Sequence, residues 1–435
     1  MRKIFTRFCI LQAAYWSFFA AMPAYITAYM LAKGMGAGTL GILIAVQMGS
    51  AFAGSVFWGR FVDRKRASRR FFLIGVIAAG ALSVLLYIFA GVPAVLFLLY
   101  PLFGFMNGPI ATTLDSWVIA VIGRVEAGAR SRTFGTLGYA VTMLVSGMLI
   151  DRFGYRFMPY IGMSLILMAV LTALCQPEVM PEQSTRVHTD ASPKVLLKAP
   201  RFLLLVAAVF FTGMAIGPIN NMKVLVFESV GGDVSSLGWD AFIGCLLQSV
   251  FLILAGKMKK IRAEYRLTAS AVFAFLYALI VFLASSPAMI IIGTLFANVN
   301  FGLIFPTMRE IVEESVDSRL RTTANSIVDV AFGSVASMIA AAWSGGVMEG
   351  AGRGPMCVIC MGLEVIALIF CVAIILFGRK PARRSRALSE SGKHIGKIVV
   401  SGEKDLVNPV GVWYYKQYNI SGREAYVTNA VQTKH

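Results

Sequence analysis

The chain has few charged residues and almost no histidine for its length. Charged side chains make up only 14% of the 435 residues, whereas 57% are hydrophobic and the mean hydropathy is +0.73. Soluble domains carry about 25% charged residues, so this composition excludes a soluble globular protein. The three histidines (His188, His394 and His435) lie outside the long apolar stretches. Their placement argues against a histidine-based hydrolase or metal site in a membrane.

Cysteine chemistry and catalytic motifs are equally sparse. All six cysteines fall in or beside apolar stretches, and we interpret the Cys357 and Cys360 pair as core thiols because it has no redox-fold context. The sequence contains no nucleotide-binding loop, metal cluster or catalytic triad. We therefore expect no enzyme activity, no cofactor and no resident metal.

Long apolar stretches account for the high hydropathy. A bilayer is crossed by about 20 residues of helix, and twelve stretches reach that length. They predict an all-α integral membrane protein with twelve transmembrane helices in two blocks of six. The stretches are approximately 8–31, 40–61, 71–90, 93–122, 133–150, 157–175, 202–226, 237–255, 267–284, 288–307, 322–348 and 356–377.

The domain prediction follows from these blocks. Residues 1–176 form an N-terminal six-helix half, and 201–378 form a C-terminal one. The polar stretch 177–200 reads as a cytoplasmic linker. Residues 379–435 form a cytoplasmic tail to which the sequence assigns no role.

Basic residues predict the orientation. The chain has 40 Lys and Arg against 22 Asp and Glu, a net charge of +18. Most lie at the N-terminus, in the even-numbered loops and in the tail, so both termini are predicted to be cytoplasmic, in the cell (inner) membrane. Anionic lipid, and not nucleic acid, is the expected partner of this charge, and we expect a monomer. The odd-numbered loops carry only Lys33, Arg152, Arg156, Lys223 and Arg353.

A loop motif suggests a family. Gly59-Arg-Phe-Val-Asp63-Arg64 lies in the predicted loop between the second and third helices. This pattern resembles the loop signature of the major facilitator superfamily. The resemblance implies alternating access and a gating role for the motif, in which Gly59 allows close helix approach and Asp63 exchanges arginine partners. An ordinary basic loop is the alternative.

An acid within an apolar run is the strongest site signal. Asp115 is expensive in hydrocarbon unless an opposite charge is near, and Arg132 on the next helix is the expected partner. A helical hairpin places Tyr139 level with Asp115 and Arg132 roughly 9 Å lower, a gap that a guanidinium can close. A structural ion pair beside a packing tyrosine is the alternative.

Asp115, Arg132-Thr-Phe-Gly135 and Tyr139 resemble the lactose permease branch of oligosaccharide:proton symporters. The resemblance implies that Asp115 and Arg132 bind sugar hydroxyls while Tyr139 stacks on the ring, and the opening helix containing Tyr25 also fits. The histidine, glutamate and arginine that couple protons in the second half of that branch are missing here.

Other polar residues extend the predicted solute site. Gly217-Pro218 predicts a break in helix 7, followed by Asn220 and Asn221, and Asn300 lies in helix 10. Broken helices suit a substrate cavity because their free backbone groups need polar partners. We therefore add the three asparagines to the site.

Proton coupling needs an acid that changes protonation during transport. Asp115 is the first candidate, because desolvation favours its neutral form and Arg132 its charged form. Asp329 in helix 11 is second and Glu364 in helix 12 is third. Lys223 is interpreted as a charge at the rim of helix 7 that reaches toward water.

The sequence thus predicts a secondary active transporter. It moves a small polar, sugar-like solute across the cell membrane by alternating access, coupled to protons. The alternatives are a uniporter or a drug or metabolite exporter of the same fold. Proton-antiport exporters usually carry a glycine and proline signature on helix 5, and the segment 138–147 has no proline. A membrane sensor that does not transport is disfavoured, because the tail shows no signalling domain.

Overall fold

The computed structural model describes residues 2–65, 68–178, 193–257, 261–377, 414–418 and 424–428. Contacts group the chain into two compact units, Met1–Gly378 and Arg379–His435. Most of the predicted linker 177–200 and of the predicted tail 379–435 lies outside the described residues. In the second unit, strands β1 (Tyr414–Tyr418) and β2 (Glu424–Thr428) pair as an antiparallel hairpin.

The first six membrane-length segments, spans 1–6, form what we call the N-terminal half. Two of them are interrupted: span 1 by a 3-10 turn and span 4 by a short non-helical step. Their bounds are Arg2–Ala21, Pro23–Tyr25 and Ile26–Ala32 for span 1; Ala37–Lys65 for span 2; Ser68–Ile88 for span 3; Pro93–Asn107 and Ile110–Ile122 for span 4; Val125–Phe153 for span 5; and Met158–Leu174, after the 3-10 turn Tyr155–Phe157, for span 6.

Spans 7–12 form the C-terminal half. The 3-10 turns Pro193–Lys198 and Ser318–Leu320 precede spans 7 and 11. The bounds are Pro200–Asn221, then the short helix Lys223–Glu228, for span 7; Val234–Lys257 for span 8; Ala263–Leu283 for span 9; Pro287–Ser315 for span 10; Arg321–Asp329, the π-helical turn Val330–Val335 and Ala336–Ala351 for span 11; and Arg353–Phe377 for span 12.

The predicted all-α membrane fold is confirmed. Among the described residues, eleven of the spans are long and apolar enough to cross a membrane. Span 8 is also a continuous helix of 24 residues. Strands within the described residues are confined to the hairpin of the second unit.

The two halves meet through small residues. A Cβ atom added at Gly345 of span 11 would lie 2.1 Å from the carbonyl oxygen of Ala37 in span 2. One added at Gly238 of span 8 would lie 2.7 Å from the carbonyl oxygen of Met143 in span 5. Spans 2 and 11, and spans 5 and 8, therefore pack backbone against backbone toward their ends at the odd-numbered loops.

The break in span 7 differs from its predicted position. The helix continues through Pro218 to Asn221 and ends at Met222, whose backbone N–H still donates to the carbonyl of Pro218 at 3.0 Å. Gly217 allows spans 7 and 11 to pack closely, because a Cβ atom added there would lie 2.7 Å from the Cβ atom of Ala340 in span 11. A proline removes its own N–H but not its carbonyl, so the helix persists for another turn.

The predicted gating motif also differs in placement. Span 2 remains helical through Lys65, so Gly59, Asp63 and Arg64 lie on a helix and not in a loop. The side chains of Asp63 and Arg64 are outside the described residues. A Cβ added at Gly59 would meet nothing within 4 Å, and the close helix approach occurs at Gly54 instead. No proline or glycine follows Gly59 to end the helix, which accounts for its extension. The gating role stays a prediction.

Candidate solute site

Asp115 and Arg132 face each other across the hairpin of spans 4 and 5. Gly123 adopts the left-handed conformation (φ 72°) that ends span 4, and Arg124 is extended before span 5 begins. Glycine favours this turn because a Cβ atom disfavours positive φ. The hairpin brings the Arg132 guanidinium into hydrogen-bonded contact with the Asp115 carboxylate. The contact predicted from the sequence is therefore present.

Span 1 contributes two further members of this cluster. The Gln12 amide donates to the other oxygen of Asp115 at 2.8 Å, and the Trp16 indole N–H donates to the Gln12 amide oxygen at 3.1 Å. The Arg132 guanidinium lies 5.4 Å from the centre of the Trp16 ring, a cation–π distance. We call Gln12, Trp16, Asp115 and Arg132 the acid–arginine cluster. Neither Gln12 nor Trp16 was predicted from the sequence, although Gln12 is the lone amide in the apolar run 8–31.

The acid–arginine cluster is partly accessible. The Arg132 side chain is 49% exposed and that of Asp115 is 24% exposed, whereas Gln12 is fully buried. The buried amide therefore holds the carboxylate in place, while the guanidinium and one face of the carboxylate can reach an incoming molecule.

Tyr139 connects the cluster to the C-terminal half. Its ring lies edge-on to Trp16, with centroids 6.4 Å apart and an interplanar angle of 82°. Gly135 permits this packing, because an added Cβ would lie 2.5 Å from the indole ring. Tyr139 also lies within electrostatic range of Lys223 and Asp240 of the opposite half.

Lys223 and Asp240 form a second charged pair, which was not predicted from the sequence. The ammonium nitrogen lies 2.5 Å from one carboxylate oxygen and donates to the hydroxyl of Thr294 at 3.2 Å. The side chains are 19% and 4% exposed, so Lys223 is the partly buried partner of Asp240 and not a solvated charge at the rim. Asp240 interrupts an apolar run in the same way as Asp115, and that signal would have found it.

The other predicted solute ligands make helix–helix contacts. The hydroxyl of Tyr277 donates to Asn220 at 3.0 Å, and Asn221 donates to the carbonyl of Ser337 at 3.2 Å. Asn300 is fully buried and its amide donates to the carbonyl of Ser270. Tyr25 is also fully buried, and its hydroxyl donates to the carbonyl of Met143. The structure thus uses the side chains of Asn220, Asn221, Asn300 and Tyr25 to join spans.

The remaining proton-coupling candidates have contrasting environments. Asp329 is 41% exposed and accepts two hydrogen bonds from Arg309, at 2.9 and 3.1 Å. Glu364 is fully buried and accepts one hydrogen bond from Thr212 at 3.0 Å. Neither residue is brought to Asp115 by a contact in the described part of the chain. The same part contains no group of acidic, histidine and cysteine side chains suited to a metal ion.

In the described part of the chain, eleven apolar membrane-length spans together with span 8, halves that meet through small residues and charged pairs within the spans are typical of a membrane transporter of the major facilitator type. The sequence matches the model of the MFS_1 like family over residues 8–377, and the chain belongs to that family. A comparison with curated proteins finds no match.

Solved structures share the fold. A mutant of the nucleoside transporter NupG superposes with a TM-score of 0.75 at 15% identity, covering 85% of this chain and 99% of the other. The NupG structure itself gives 0.69 at 16% identity, covering 87% and 100%. A bacterial homologue of the iron transporter ferroportin, in an inward-facing state, gives 0.66 at 10% identity, covering 86% and 99%. At these identities the similarity concerns the fold.

Proposed function

We propose that the chain is a secondary active transporter for a small hydroxylated solute, such as a sugar or a nucleoside. The solute crosses the cell membrane by alternating access of the N- and C-terminal halves and binds at the acid–arginine cluster. The observation that carries this proposal is the contact of Asp115 with both Arg132 and Gln12, next to the face of Trp16.

The chemistry of the cluster suits a hydroxylated ring. A carboxylate accepts hydrogen bonds from hydroxyl groups, and a guanidinium donates to hydroxyl oxygens in a fixed geometry. The aromatic rings of Trp16 and Tyr139 offer apolar faces to the C–H groups of a sugar or to a nucleobase. The nucleoside transporter NupG has a similar fold, which supports nucleosides as one class to test beside sugars.

The packing of the halves supports an inward-facing conformation. Spans 2 and 11 close on each other near the first loop, where the backbone N–H of Gly38 donates to Glu349 at 2.6 Å. With both termini cytoplasmic, this closed end is the outer one. The half-exposed Arg132 is then reached from the cytoplasmic side.

Facilitated uniport is the alternative that a specific observation favours. Both oxygens of Asp115 already have donors, so this carboxylate needs no proton to be stable in the membrane. Export of a drug or metabolite would require the same alternating halves.

A binding and uptake experiment tests the proposal. Purified protein is screened by thermal shift with uridine and lactose, and uptake of both is measured in proteoliposomes. We expect one of the two to stabilise the wild type and to be taken up, Asp115→Asn to weaken both effects, and Arg132→Ala to abolish them. Glu178→Gln is the matched control, because Glu178 pairs with Arg69 and its side chain has the same 24% exposure as that of Asp115. Normal binding and uptake by both cluster variants would contradict the proposal.

A further inference from the structure

Lys223 and Asp240 lie where movement between the halves must alter their surroundings. Asp240 follows Gly238 by two residues, and Gly238 packs against the backbone of Met143 in span 5. Lys223 begins the short helix after the break at Met222. When span 8 separates from span 5 during alternating access, the environment of the pair changes with it.

Asp240 depends on a single counter-charge. One of its oxygens accepts from Lys223, and the other is buried and has no hydrogen-bond partner among the described residues. The titratable groups that face the pair are Tyr139 from span 5, Cys245 from span 8 and Tyr277 from span 9. Tyrosine and cysteine are ordinarily neutral at pH 7. If Lys223 turned away, Asp240 would be an unpaired buried carboxylate and would bind a proton.

The three acids predicted from the sequence are less suited to become unpaired and bind a proton when the solute binds. Asp115 keeps Gln12 as a second donor if Arg132 turns toward the solute. Asp329 is 41% exposed, so water can replace Arg309 as its partner. Glu364 is fully buried, and it accepts from the uncharged hydroxyl of Thr212 rather than from a cation that a solute could withdraw.

The solute site is connected to the pair through Tyr139. This side chain packs against Trp16 of the acid–arginine cluster and lies within electrostatic range of Lys223 and Asp240. A solute held against Trp16 and Tyr139 would therefore lie within electrostatic range of the ammonium group. Lys223 is 19% exposed, and Thr294 offers it a second partner, so the ammonium can turn from Asp240 without losing every contact.

We infer that Asp240 is the proton-coupling carboxylate of this transporter and that Lys223 is the switch that links it to the solute. Solute contact draws the Lys223 ammonium from Asp240, and one proton binds the freed carboxylate to give a neutral acid. Solute and proton cross together. On the other side the solute leaves, Lys223 returns, and the proton departs as the ion pair reforms. This inference rests on the proposed function, since it needs a solute that binds at the cluster.

The test measures how solute affinity depends on pH. The dissociation constants for uridine and lactose are determined on purified full-length protein between about pH 6 and pH 8. Most solvent-exposed carboxylates titrate below this range and do not contribute to the slope. If one proton binds with each solute, the dissociation constant of the wild type rises by up to about tenfold per pH unit. We expect Asp240→Asn to abolish this slope and to lose accumulation driven by an imposed proton gradient.

A second variant keeps the test informative if Asp240→Asn fails to fold. Asp240→Asn leaves Lys223 buried without a counter-charge, which destabilises proteins. The double variant Lys223→Gln with Asp240→Asn removes both charges while keeping polar side chains of similar size. We expect it to fold and to show the same loss of pH dependence. Glu178→Gln, which removes a charge from a partly exposed pair outside this region, retains the wild-type slope.

Two outcomes overturn the inference in distinguishable ways. If wild-type protein binds neither probe, the proposed function fails and the coupling model fails with it. If the wild type binds a probe with a pH slope that both Asp240 variants preserve, or that Asp115→Asn alone abolishes, the proposed function stands and the assignment of Asp240 is wrong.

Discussion

Replacing Asp115 by asparagine tests the solute site with little change in shape. The substitution keeps an oxygen that can accept from Gln12 but removes the negative charge that Arg132 and a solute hydroxyl contact. A hydrogen bond to a charged group contributes about 1.5–3 kcal/mol. Losing one such bond to the solute raises the dissociation constant roughly 10- to 150-fold.

The effect on stability should be much smaller. Arg132 is half exposed, so its guanidinium can be solvated after the pair is lost, and exposed pairs contribute about 1 kcal/mol or less. The assay is equilibrium binding of uridine or lactose to purified protein, with the thermal midpoint measured on the same samples. Binding within twofold of the wild type would refute the reasoning, and so would an equal loss in Glu178→Gln.

The remaining predictions concern Trp16, the closed end of the two halves, and Glu364. Trp16→Phe, which keeps a ring but removes the indole N–H, should weaken solute binding less than Trp16→Ala does; equal dissociation constants would contradict a stacking role. Gly345→Leu places a side chain against the carbonyl of Ala37, so thiol labelling of Thr39→Cys in proteoliposomes should increase; unchanged labelling would show that the closed end does not depend on this contact. Glu364→Gln should leave the pH dependence of solute binding unchanged, and a loss of that dependence would reassign the coupling proton.

Sequence patterns were sufficient for the architecture because hydrocarbon imposes strong rules. Each span must satisfy its own backbone polar groups, so its length and apolarity are visible in the sequence. The pairing of Asp115 with Arg132 followed from the same rule, since an isolated charge in the membrane is expensive. The turn between them forms at Gly123, which provides the positive φ that the hairpin needs.

Features that depend on the neighbouring spans were not predicted. The π-helical turn after Asp329 has no residue signal of its own, and an added Cβ at Gly213 of span 7 would lie 2.4 Å from the carbonyl of Phe332 within that turn. A single amide in an apolar helix, such as Gln12, gives no indication of its partner. The amide of Asn300 joins spans 9 and 10, a contact that its residue type does not indicate. Such partners are decided by packing between segments distant in sequence.

Solute exchange across a membrane addresses the central claim most directly. Proteoliposomes loaded with unlabelled uridine or lactose are diluted into the labelled compound, and exchange is compared between wild type, Arg132→Ala and Glu178→Gln. The account predicts saturable exchange of one probe by the wild type and by Glu178→Gln, and none by Arg132→Ala. Exchange by Arg132→Ala at the wild-type rate and concentration dependence would contradict the assignment of the acid–arginine cluster as the solute site.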